Sequence, residues 1–74
     1  MIRVRVTTVD GGIKEWAEED EFVERLRRLR RLGFDGKSLV NTLLTDEWGA
    51  TPTHVRIEGR LENGTTVKET ITDE

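Results

Sequence analysis

At 74 residues, of which 34% are apolar and 36% charged, the chain has room for one domain whose core must come from a few well-placed Leu, Val, Ile, Phe and Trp side chains. It has no cysteine, which excludes a disulfide framework and a thiolate metal centre and fits a reducing, cytoplasmic setting. The formal charge of −3 names no partner class, but it is unevenly spread: over residues 38–74 seven carboxylates stand against three cations.

Ile2, Val4 and Val6 alternate with Arg3, Arg5 and Thr7, the period-two pattern of a strand with one buried face. No apolar run exceeds two residues, so neither a signal-peptide core nor a membrane-spanning helix is expected. Asp10-Gly11-Gly12 supplies a turn, after which Ile13 to Trp16 either return as a short second strand or begin a helix. A three-residue loop at 10–12 predicts Val9 opposite Ile13 and Val6 opposite Trp16.

Residues 18–32 carry Phe22, Val23, Leu26 and Leu29 at three- and four-residue spacing, the mark of an amphipathic helix. Its first turn is acidic (Glu18 to Glu21) and its second half basic (Arg25 to Arg31), an order that complements the helix dipole. Glu21 with Arg25 and Glu24 with Arg28 are expected to pair at i, i+4. Gly33 followed by Phe34 predicts a Schellman stop, and Asp35 caps a second helix carrying Leu39, Val40, Leu43 and Leu44 that ends near residues 45–49.

Pro52 opens an extended stretch, with Val55, Ile57 and Leu61 on one face of a third strand and Val67 and Ile71 on one face of a fourth. A two-residue Asn63-Gly64 turn would set Arg56 opposite Ile71, so parity favours a three-residue loop with Gly64 as the left-handed bulge residue. That register pairs Val55 with Ile71 and leaves Glu69 facing inward opposite Ile57, at the sheet's rim or against a basic residue. The expected architecture is α+β, in the order β-β-α-α-β-β, with both helices on one face of an antiparallel sheet. The other face then presents Arg3, Arg5, His54, Arg56, Glu58, Arg60, Lys68 and several threonines.

The residues that could carry chemistry are few. Gly36-Lys37-Ser38 matches the end of a phosphate-binding loop, but the required earlier glycine falls at Arg31 and the segment follows a helix. His54 is the only histidine and has no thiol or second imidazole to work with. Glu18 to Glu21 and Asp46 with Glu47 lack the spacing of a calcium loop. Asn63-Gly64-Thr65 fits a glycosylation sequon and reads as a turn. No nucleophile, base and oxyanion donor come together, so neither an enzyme nor a cofactor or metal is expected.

The leading expectation is therefore a non-enzymatic protein-binding module, such as a small acidic inhibitor or adaptor of the kind phages encode. It would meet a basic partner surface through Glu58, Glu62, Glu69 and Asp73. Trp48, at a helix end or loop, is either core closure or an interface anchor. The alternative from another class is a nucleic-acid-binding domain using Arg27, Arg28 and Arg31 on the helix or Arg3, Arg5, Arg56, Arg60 and Lys68 on the sheet. A structural homodimer that completes one shared core is the third.

Overall fold

The computed structural model describes residues 1–44 and 52–72, and Trp48 and Asp73 lie outside that range. Its elements are β1 (Ile2–Thr8), β2 (Ile13–Glu18), α1 (Asp20–Arg31), α2 (Gly36–Leu43), β3 (Pro52–Arg60) and β4 (Thr66–Thr72). The four strands form one antiparallel sheet in the order β2-β1-β3-β4, so β1 and β3, distant in sequence, are its central pair. No helix among the described residues is long and apolar enough to cross a membrane.

Alternation decides which face is covered. Ile2, Val4 and Val6 of β1, Val55 and Ile57 of β3, and Val67 and Ile71 of β4 are buried under Phe22, Val23 and Leu26 of α1 and Leu39, Val40 and Leu43 of α2. Trp16 closes this layer from β2, half-buried, with its indole N–H donating to Glu18 at 2.8 Å.

Residues 13–18 are thus strand rather than helix start, and α1 begins at Asp20, with Glu18 still in β2. The first hairpin departs from expectation: its loop starts one residue earlier, which moves the strand register by two. Thr7 faces Ile13 and Val4 faces Trp16, because the three-residue loop is Val9-Asp10-Gly11. The physical reason is local: the Thr8 hydroxyl donates to Asp10, whose carboxylate also accepts the Gly12 N–H at 3.0 Å, so Asp10 takes the middle of the loop, between the paired Thr8 and Gly12, rather than its first position. This hydrogen bonding holds the Asp10 carboxyl below the ordinary carboxylate range.

The second hairpin follows the expected register, with Val55 opposite Ile71 and Glu69 opposite Ile57. Both hairpins close identically. Thr8 N–H donates to Gly12 at 2.8 Å and Gly11 N–H to Thr8 at 3.0 Å, while Leu61 N–H donates to Thr65 and Gly64 N–H to Leu61, both at 2.9 Å. Gly11 and Gly64 each have φ of +87°, the left-handed position of a type I turn followed by a bulge.

Helix α1 stops as the sequence indicates: Phe34 N–H returns to the Leu29 carbonyl and Gly33 N–H to Arg30, both at 3.0 Å, the two bonds of a Schellman motif. Helix α2 starts with the Ser38 hydroxyl accepting the Asp35 N–H at 3.1 Å and ends at Leu43, earlier than expected. The predicted Glu21–Arg25 and Glu24–Arg28 pairs do not form. Arg25 instead lies over the Phe22 ring and donates to the Leu43 carbonyl, tying α1 to the end of α2, while Arg30 reaches Glu69 on the covered side of β4.

Candidate polyanion interface on the open sheet face

The opposite face of the sheet carries no helix among the described residues, and the strand register arranges its side chains in cross-strand rows. One row reads Ala17, Arg3, Glu58, Lys68; the next Glu15, Arg5, Arg56, Thr70; the third Ile13, Thr7, His54, Thr72; and Arg60 stands opposite Thr66 at the end. Five cations (Arg3, Arg5, Arg56, Arg60, Lys68) meet two carboxylates (Glu15, Glu58) on this face, although the whole chain is net −3. Its basic character arises because β1 and β3 each place two arginines on this face and the topology makes these strands neighbours.

Glu15 organises one side of the patch. Its carboxylate accepts from Arg5 Nε at 2.8 Å and from Arg3 Nη1 at 3.2 Å, and the Arg5 bond first, then the Arg3 bond, holds its carboxyl below the usual range. Arg56 lies 3.6 Å from Glu58 along its own strand. Between Arg5 and Arg56 the face dips into a depression of about 270 Å³ lined by Arg5, Thr7, His54, Val55, Arg56 and Thr70.

The acidic residues singled out by sequence do not share a surface. Glu58 lies among the cations of the open face, Glu62 sits in the hairpin loop with its N–H bonded to Asp20 at 2.9 Å, and Glu69 pairs with Arg30 on the covered face. The helical and sheet arginines are likewise separated: Arg27, Arg28 and Arg31 are exposed on α1, which packs against the covered face, whereas Arg56 and Arg60 belong to the open one. Arg3, Arg5 and Lys68, expected on the exposed sheet face, complete the sheet cluster.

A larger cleft of about 480 Å³ lies between β2, α1 and the end of α2. It mixes Trp16, Phe22, Leu43 and Leu44 with three glutamates and two arginines, and so has no single electrostatic character. No group of three His, Asp or Glu side chains among the described residues is placed to hold a metal ion. No protein-family model matches the chain, and neither the curated proteins nor the solved structures contain a match.

Proposed function

We propose that this protein is a non-enzymatic nucleic-acid-binding module that lays its open sheet face against the backbone of a duplex. The observation that supports this reading is the concentration of five cations, among the described residues, on the sheet face opposite the helices of a net-acidic chain. Phosphate contacts of this kind position a protein on a duplex without reading sequence. Core packing does not explain these arginines, since the side chains beneath them on the same strands already make the core.

The duplex is favoured over a single strand because, among the described residues, the open face has no Phe or Trp on which bases could stack; Trp16, Phe22 and Phe34 all belong to the covered side. The exposed threonines add neutral hydroxyl donors, common partners of phosphate oxygens. Along β3, Arg56 and Arg60 are four residues apart, about 13 Å at strand rise, a spacing comparable to the roughly 12 Å width of a major groove. The acidic start of α1, by contrast, has a sufficient explanation in the helix dipole.

Fluorescence anisotropy with a labelled 16-base-pair duplex of mixed sequence tests this reading. If the five cations meet four or five phosphates, affinity falls about 150- to 500-fold between 50 and 200 mM salt, following a slope of −0.9 per phosphate. No binding at 50 mM salt, or affinity that barely moves across that range, would overturn it in favour of a protein partner.

A further inference from the structure

The pairing of Arg5 with Arg56 is unfavourable as a sheet feature. The two stand directly opposite each other on the central strands β1 and β3, and like charges in that position destabilise a sheet. The carboxylates that offset them lie to the outside: Glu15 on β2 holds Arg5 through Nε and Nη2, and Glu58 approaches Arg56 from two residues along β3. Neither lines the depression between the arginines, whose polar lining residues are Arg5, Arg56, Thr7, Thr70 and His54.

From this geometry, and resting on the reading of the open face as a nucleic-acid interface, we infer that the Arg5–Arg56 depression is a cradle for a single phosphodiester, its two unesterified oxygens divided between the two guanidiniums. Every polar side chain lining it can donate a hydrogen bond, and none is a carboxylate. Each arginine has five N–H donors, so Arg5 keeps free donors while bonded to Glu15. Glu15 is a positioning residue: it fixes the direction of the Arg5 fork from the side away from the depression. A bound phosphate would relieve the repulsion between the arginines, which gives the site a preference for an anion over the empty state.

The test is the salt slope of binding to the same 16-base-pair duplex for the parent, Arg5→Gln, Arg56→Gln and the double variant, with Arg27→Gln/Arg28→Gln as control. Because both arginines serve one phosphate, the double variant should lower the slope by about one, and the two single variants should not add. A fall of about two, additive between the singles, would mean separate phosphates and overturn the cradle while leaving the duplex interface standing. A slope lost only in the helix control would overturn it as well.

Inorganic phosphate, followed by amide NMR, separates the two readings where the duplex does not bind. Shifts at Thr7, His54, Arg56 and Thr70 that vanish in the double variant would keep the cradle and discard the duplex. No shift in the parent would discard both. Both side chains are about half exposed, 49% for Arg5 and 56% for Arg56, so the variants are expected to fold, and an unchanged melting temperature checks it.

Discussion

Glu15 links the electrostatics of the open face to the stability of its edge strand. Arg5 and then Arg3 depress its carboxyl below the ordinary value of 4.5, so the folded state binds that proton less readily than the unfolded chain does. The resulting stabilisation is fully present above pH 4.5 and is lost as pH falls through the lower folded-state value. Comparing melting temperatures of the parent and Glu15→Gln from pH 7 to pH 3 should show the gap between them closing in that acidic window. A gap constant across it would mean that the carboxylate charge contributes nothing to the strand pairing.

The two hairpins show how far element-level reasoning from sequence reaches. For β3–β4 the apolar residues Val55, Ile57, Val67 and Ile71 all had to reach one face, and that parity ruled out the two-residue turn and located Gly64 as the bulge. For β1–β2 parity was uninformative, because Ile13, Glu15 and Ala17 face the open side while Lys14, Trp16 and Glu18 face the helices, so the strand has no clean apolar alternation. There the register is set by Thr8 and Asp10 inside the turn, a side-chain hydrogen-bond choice invisible to hydrophobic periodicity. The helix pairs failed for a related reason, since Arg25 and Arg30 find tertiary partners on α2 and β4 that i, i+4 spacing does not reveal.

The equivalence of the two loops makes a direct prediction. Gly11→Val and Gly64→Val place a β-branched residue at the same φ of +87°, where neither new side chain meets a neighbour, so backbone strain alone sets the cost. Each should destabilise by about 1–2 kcal/mol, the range for a left-handed L-residue, read from the midpoint of urea unfolding at unchanged m. If Gly11→Val is harmless while Gly64→Val is not, the first loop does not have the geometry described.

Across the whole molecule, stability and the proposed binding occupy opposite faces of one sheet. The exposed set of Arg3, Arg5, Arg56 and Arg60 was legible from alternation alone, but Arg5 facing Arg56 was not. The two are 51 positions apart in sequence, and nothing in local periodicity says that β3 returns beside β1 rather than beside β2. The cradle therefore exists only at the level of topology. This separation predicts a double dissociation. Replacing all four arginines by glutamine keeps their apolar stems, removes exposed charges and the Arg5–Arg56 opposition, and should change stability by no more than about 1 kcal/mol while abolishing duplex binding. Leu26→Ala, at a core position only 1% exposed, should cost about 3 kcal/mol yet leave the salt slope of the remaining folded protein unchanged. With melting shifts of about 4–8 °C per kcal/mol in a domain of this size, thermal unfolding and anisotropy on the same two variants resolve both effects. A quadruple variant that fails to fold would show that the open face has a structural role the core does not supply, and would count against treating it as an interface.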